Sequence, residues 1–134
     1  MLLGSTVRWS GFSPLTDAAW MTLEGVATNG RVGSAVVGLG DVDCDGTADL
    51  AVSGEQLDGQ QNHAGVVGVW LGIAGGTQRM TNASATIEGG IGDEFFGSSL
   101  ATGDLDGDGE GDLVVGADGY GSLNGRVYVF LGSF

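Results

Sequence analysis

Short apolar runs recur along this chain, at residues 33–39, 48–53, 65–71, 84–88, 97–103, 112–117 and 125–131, each rich in Val, Leu or aromatic residues. Gly, Asn and Asp separate them. Runs this short, bounded by turn formers, predict antiparallel strands joined by hairpins, and Asn124-Gly125 is a tight-turn pair directly ahead of the last run. Several runs, such as 127–131, are almost continuously apolar, as expected where both faces of a sheet are covered.

The runs repeat. Asp41 superposes on Asp104 with a period of 63 residues, and the landmarks around them recur in the same order. Gly33-Ser34 returns as Gly97-Ser98, Asp49-Leu50-Ala51-Val52 as Asp112-Leu113-Val114-Val115, and Thr22-Leu23-Glu24-Gly25 as Thr86-Ile87-Glu88-Gly89. The run from Gly65 to Gly72 matches the run from Gly125 to Gly132. Four strands per repeat, packed radially around an axis, is the β-propeller solution to unprotected strand edges. The expected fold is therefore all-β: two consecutive four-stranded antiparallel blades of a β-propeller, the second lacking its last strand, plus part of a preceding blade. Residues 1–25 supply the last strands of that preceding blade, with 2–5 as its third strand and 21–25 as its fourth. Residues 26–89 form repeat one and residues 90–134 repeat two, in one structural unit. Since propellers close with roughly four to eight blades, further blades are needed, from the rest of a longer chain or from homo-oligomerisation.

Composition sharpens this picture. With 134 residues, 28 Gly and a single Pro, the chain has the size of one ordinary domain, and its glycines fall in register between ordered runs. Seventeen acidic residues face four basic ones, all Arg, for a formal charge of -13, which argues against nucleic acid as a partner. Eight of those acids are the aspartates of two stretches with one pattern, D-x-D-x-D-G-x-x-D, beginning at Asp41 and Asp104. Alternate carboxylates converge on one point only if the chain then turns sharply, and Gly46 and Gly109 sit where that turn must occur.

An Asp-rich cage without His or Cys suits a hard cation, and calcium takes six to eight oxygens in flexible geometry. Two calcium sites are expected. In the first, the Asp41, Asp43, Asp45 and Asp49 side chains join the Thr47 carbonyl; in the second, Asp104, Asp106, Asp108 and Asp112 join the Glu110 carbonyl. An EF-hand would require Glu at the twelfth position, where Val52 and Val115 stand. The plain alternative is a solvated acidic turn, which two complete copies in matching context disfavour. Magnesium fits less well, because it prefers few protein ligands and ideal octahedral geometry.

The order of strand, acidic loop, Asp-Leu strand and Gly-led aromatic strand resembles the FG-GAP repeat of integrin α-subunit propellers and their bacterial relatives. Phe96-Gly97 matches the Phe-Gly element, and Gly116-Ala117-Asp118 matches Gly-Ala-Pro with Asp in place of Pro. Repeat one departs further, with Val32-Gly33 and Ser53-Gly54-Glu55 at those places. The resemblance implies that each acidic loop joins strands one and two on the lower rim. It also implies that a protein or carbohydrate partner is recognised by upper-rim loops, here residues 54–65, 117–125, 26–32 and 90–96. Family members are mostly extracellular or cell-surface proteins, several of them adhesive, so an extracellular or cell-surface location is implied.

No catalytic constellation emerges, and the chain is read as a non-enzyme. His63 is the sole histidine and falls in a polar loop, lysine is absent, and Cys44, the single cysteine, can form no internal disulfide. Trp70 and Phe130 occupy equivalent places in strand three and are expected to pack between blades, while Tyr120 is the better candidate for an exposed contact. Asn82-Ala83-Ser84 fits a glycosylation sequon. Residues 1–13 lack a basic start, and no apolar run is long enough to span a membrane. The expected function is a calcium-binding propeller segment with a binding or adhesion role. The alternatives are a non-catalytic scaffold within a larger secreted hydrolase or lyase, and an autonomous oligomeric lectin-like propeller.

Overall fold

The computed structural model describes residues 19–132. Its strands are β1 (Met21–Glu24), β2 (Val32–Gly40), β3 (Asp49–Gly54), β4 (Val66–Trp70), β5 (Gly76–Arg79), β6 (Ala85–Glu88), β7 (Phe96–Gly103), β8 (Asp112–Ala117) and β9 (Arg126–Phe130). The order β2-β3-β4-β6 makes one four-stranded antiparallel sheet, and β7-β8-β9 makes a three-stranded antiparallel one. These are the complete blade and the strand-deficient blade that the repeat predicts, with boundaries within a residue or two of the apolar runs.

The register explains the repeated Gly at the second position of strand one. Between Val32 and Val36, and again between Phe96 and Ser99, the pairing slips, and each irregularity holds a glycine in the left-handed region, Gly33 at φ 90° and Gly97 at φ 91°. A left-handed residue at the start of a strand is accommodated by Gly and bends the edge.

The core lies between the two blades. Ala51, Val67 and Val69 of the first sheet meet Phe96, Leu113, Val115 and Ala117 of the second, all buried, and Leu39 and Val42 close the cluster. Phe96 takes Tyr128 and Phe130 edge-on, with ring centroids 5.4 and 6.2 Å away. Aromatic pairs in this arrangement stabilise by about 0.5–1.5 kcal/mol beyond the area they bury. Phe130 therefore packs between the blades as expected. Trp70 does not join this cluster: its indole crowds Gly68, where an added Cβ would lie 2.8 Å from the ring, and its buried Nε1 has no hydrogen-bond partner among the described residues.

One strand was not expected. Residues 76–79, read as part of a connection, form β5 and pair in parallel with β1, from Met21 opposite Gly76 to Glu24 opposite Arg79. The segment read as a preceding blade's last strand is thus extended, and its partner comes from the β4–β6 connection. The polar sequence Gly76-Thr77-Gln78-Arg79 carries no apolar alternation that could have announced it. Residues 2–5, read as the strand before it, lie outside the described residues.

Candidate metal centre

Both acidic loops join the first two strands of a blade, β2 to β3 and β7 to β8, so they lie at the same end of the molecule. The backbone folds each loop around its own carboxylates. In the first, Asp41 accepts from the Gly46 N–H at 3.0 Å, Asp43 from the Asp45 N–H at 3.1 Å, and Asp45 from the Thr47 N–H at 2.7 Å. In the second, Asp104 accepts from Gly107 at 2.6 Å and Gly109 at 3.0 Å, Asp106 from Asp108 at 3.2 Å, and Asp108 from Glu110 at 2.8 Å. Gly46 and Gly109 turn the chain in the left-handed region, at φ 89° and 92°. At the fourth position Cys44 is left-handed at φ 59°, where the second loop has Gly107 at φ 83°.

Asp49 and Asp112 differ from the rest because they are buried, at 1% and 0% exposure. Each closes its loop with one oxygen and holds the end of the third strand with the other. Asp49 accepts from Val42 and Gly72 N–H groups, both at 2.7 Å; Asp112 accepts from Leu105 at 2.5 Å and Gly132 at 2.8 Å. The Gly132 bond and then the Leu105 bond hold the Asp112 carboxyl below its ordinary range, against the opposing effect of burial. In the first loop the Thr47 hydroxyl and then its N–H lower the Asp45 carboxyl in the same direction.

Of the ten expected ligand residues, the fold gathers two sets. Asp41, Asp43 and Asp49 place carboxylate oxygens within 4.8 Å of one another, and so do Asp104, Asp106 and Asp108. Asp45 stands outside the first set, its carboxylate engaged by Thr47, and Asp112 outside the second. Every donor is a hard oxygen, and each carboxylate oxygen that accepts one N–H keeps a second lone pair for a cation. Two carboxylates roughly 4 Å apart repel by about 4 kcal/mol at an effective dielectric near 20. The ion pairs Arg31–Glu55 and His63–Asp93 lie at the other ends of the same strands and supply no compensation here. The residues therefore fit a hard divalent cation.

At that opposite end the expected upper-rim loops are stitched together. Asp93 donates to the Asn62 carbonyl at 2.9 Å, Phe96 to Ala64 at 2.9 Å and Gly119 to Glu94 at 3.1 Å. His63, expected as surface decoration, is half-exposed with Nδ1 3.0 Å from Asp93. Tyr120, expected as an exposed contact, carries the Arg126 guanidinium 3.5 Å above its ring. The residue that sequence reasoning missed is Glu94, buried to 1% and bonded to the Tyr128 hydroxyl. The only available signal was a charge immediately before an apolar pair, Phe95-Phe96, which does not separate a buried acid from a solvated one.

Residues 96–130 match the family model for the FG-GAP repeat. Repeat two is an FG-GAP repeat. The matched span is the copy that carries Phe96-Gly97; in this chain Phe96 is buried at the seam between blades, and an added Cβ on Gly97 would lie 2.6 Å from the Ser53 side chain. The chain is also 38% identical over 104 residues to integrin alpha-5 of Xenopus laevis, an alignment covering 74% of the chain and 10% of that protein. It is 35% identical over 108 residues to integrin alpha-IIb of Homo sapiens, covering 81% and 10%. Phosphatidylinositol-glycan-specific phospholipase D of Bos taurus is 37% identical over 114 residues, covering 81% of the chain and 13% of the enzyme. The chain thus spans about a tenth of the length of the curated relatives it matches. Among the described residues no helix is long and apolar enough to cross a membrane.

Proposed function

We propose that these blades are a calcium-stabilised part of a propeller whose role is binding or adhesion at the cell surface or outside the cell. The supporting observation is the convergence of three aspartates at the same point of both blades, within 4.8 Å in each. Calcium held there by Asp41, Asp43 and Asp49, and by Asp104, Asp106 and Asp108, relieves carboxylate repulsion and ties the rim of each blade. Its role is structural. Asp45, Thr47, Glu110 and Asp112 complete the shells through small loop adjustments. A protein or carbohydrate partner binds the opposite rim, where loops 54–65, 90–96 and 117–125 meet.

Calorimetry tests the metal: two equivalents of calcium bind, chelator lowers the melting temperature, and Asp45→Ala with Asp108→Ala removes both effects. Melting unchanged by chelator refutes the reading. At a hundredfold excess over Kd, linkage contributes about 2.7 kcal/mol for each site.

The phospholipase D relatives favour a second reading, in which the same blades are a non-catalytic scaffold within a larger secreted enzyme. Neighbouring sequence with a catalytic constellation would select it. In both readings these residues perform no chemistry themselves.

A further inference from the structure

Two triplets of identical sequence, Asn29-Gly30-Arg31 and Asn124-Gly125-Arg126, fall in connections, the first between β1 and β2 and the second between β8 and β9, with both asparagines exposed. Asn before Gly pairs a carboxamide with a backbone nitrogen that no side chain shields, and Asn is among the thermolabile residues. The fold holds the two triplets differently. Asn124 has helical angles, φ -70° and ψ -26°, and its connection is closed by the Leu123 N–H on Gly119 at 3.3 Å and the Gly125 N–H on Tyr120 at 3.0 Å. Its carboxamide is turned back over Gly121, where an added Cβ would lie 3.4 Å from Asn124 Nδ2. Asn29 is left-handed at φ 62°, and the Gly30 N–H reaches the Ala27 carbonyl at 3.3 Å, a long bond.

We infer that Asn29 is a site of spontaneous covalent modification, converting to aspartyl and isoaspartyl forms in the folded protein. The Gly30 nitrogen attacks Asn29 Cγ and bonds to it, and the carboxamide nitrogen leaves with the Gly30 amide proton as ammonia. Water then opens the five-membered imide. Addition at Cγ restores the ordinary backbone with an aspartate side chain, whereas addition at the Asn29 main-chain carbonyl leaves the chain running through Cγ, one methylene longer. Each conversion consumes one water and releases one ammonia, and no enzyme, oxidant or metal takes part. The step begins by freeing the attacking nitrogen, which gives up a longer bond at Gly30 than at Gly125.

The products bear on the rim opposite the acidic loops. Gly30 is packed under Leu57, where an added Cβ would lie 2.4 Å from the Leu57 side chain, and its carbonyl oxygen crowds Gly54. A longer backbone at residue 29 therefore displaces Leu57 and the start of loop 54–65. The new carboxylate also stands two residues before Arg31, whose guanidinium holds Glu55 at 2.8 Å, and it takes the net charge of -13 one unit further. Loops 26–32 and 54–65 thus change charge and path together. The inference rests on neither bound calcium nor a partner.

Incubating the full chain in mildly alkaline buffer, then cleaving after Arg and weighing the peptides by mass spectrometry, tests the inference. Cleavage places Asn29 in peptide 9–31 and Asn124 in peptide 80–126, and peptide 9–31 contains no other Asn or Gln. Isomerisation at Asp-Gly pairs leaves mass unchanged, so a rise from amide to acid reports asparagine alone. In the folded protein Asn29 should convert about fivefold to tenfold faster than Asn124, the ratio expected when one further hydrogen bond must open at Gly125. Denatured in urea, the two should convert at similar rates, since their local sequences match. Asn29→Gly, which accepts the left-handed backbone, should abolish the change in peptide 9–31, and fragmentation of the parent peptide should place isoaspartate at residue 29. Conversion of Asn124 as fast as that of Asn29 in the folded protein overturns the inference, as does a folded protein in which Asn29 stays intact while it converts in urea.

Discussion

The Tyr128 hydroxyl donates a hydrogen bond to Glu94, a carboxylate 34 residues away and almost fully buried. The other Glu94 oxygen accepts from the Ile91 N–H at 3.2 Å, and the Glu94 carbonyl accepts from Gly119 at 3.1 Å. One acid therefore ties the loop ahead of β7 both to β9 and to the β8–β9 connection. Tyr128→Phe removes the phenolic donor and leaves a buried carboxylate one partner short, so stability in urea should fall by about 1.5–3 kcal/mol with little change in spectrum.

The same pair sets an alkaline limit. Burial first, and then the bond to Glu94, raise the Tyr128 pKa above its ordinary value of 10.0, with Arg126 opposing. A value raised in the folded state means that the neutral phenol contributes stability in full below the unfolded value, and that this is lost as pH rises through the folded one. Absorbance titration should show one tyrosine ionising later than free tyrosine. Stability should decline in step with it, and the Tyr128→Phe protein should lose that component.

Asp49→Ala should destabilise the chain even in chelator, whereas Asp43→Ala and Asp106→Ala should change only its response to calcium. Asp49 is buried and its loss strands two backbone N–H groups, at Val42 and Gly72, for a cost of about 2–3 kcal/mol in urea denaturation. Asp43 and Asp106 are exposed and each accepts one local bond. Asp112→Ala should behave as Asp49→Ala does. Because its carboxyl is held low, the stability it supplies is present above the ordinary value of 3.8 and disappears as pH falls through the folded one.

Cys44→Gly should stabilise the first loop by about 1 kcal/mol. Cys44 holds a left-handed backbone that Gly adopts without strain, and the second loop already places Gly107 there. Thermal melts of Cys44→Gly beside the parent protein measure it, and an unchanged or lowered midpoint counts against the strain.

Gly97→Ala should cost far more than Gly33→Ala, although both residues are left-handed. An added Cβ at Gly97 meets Ser53 at 2.6 Å and Val67 at 3.1 Å, while at Gly33 no described residue lies within 4 Å. Backbone strain of about 1–2 kcal/mol applies to both, and overpacking between the blades adds about 1–3 kcal/mol at Gly97 alone. Comparing the two midpoints in urea separates the terms.

Much of the fold was legible because the chain states it twice. Strand runs, turn glycines and both acidic loops recur in order, so a weak local pattern gains weight from its second copy. The carboxylate sets were legible in the same way, although the folded loops divide the labour: Asp45 turns to Thr47, while Asp49 and Asp112 turn inward to hold backbone N–H groups. Spacing alone cannot separate a carboxylate that faces a cation from one that faces the chain, because both need the same residue at the same place.

Sequence by itself determined the strand order within each blade, the left-handed turns and the convergence of aspartates, since all of these follow from local periodicity and from which residues tolerate which backbone. Tertiary structure alone decided the rest. The parallel pairing of β1 with β5 joins segments with no shared pattern. The burial of Glu94 depends on Tyr128 arriving from the far edge of its sheet. The fate of Gly97 depends on Ser53 and Val67 of the neighbouring blade, whereas among the described residues nothing approaches Gly33. Each is a contact between segments distant in the chain, whose free energy no local pattern records.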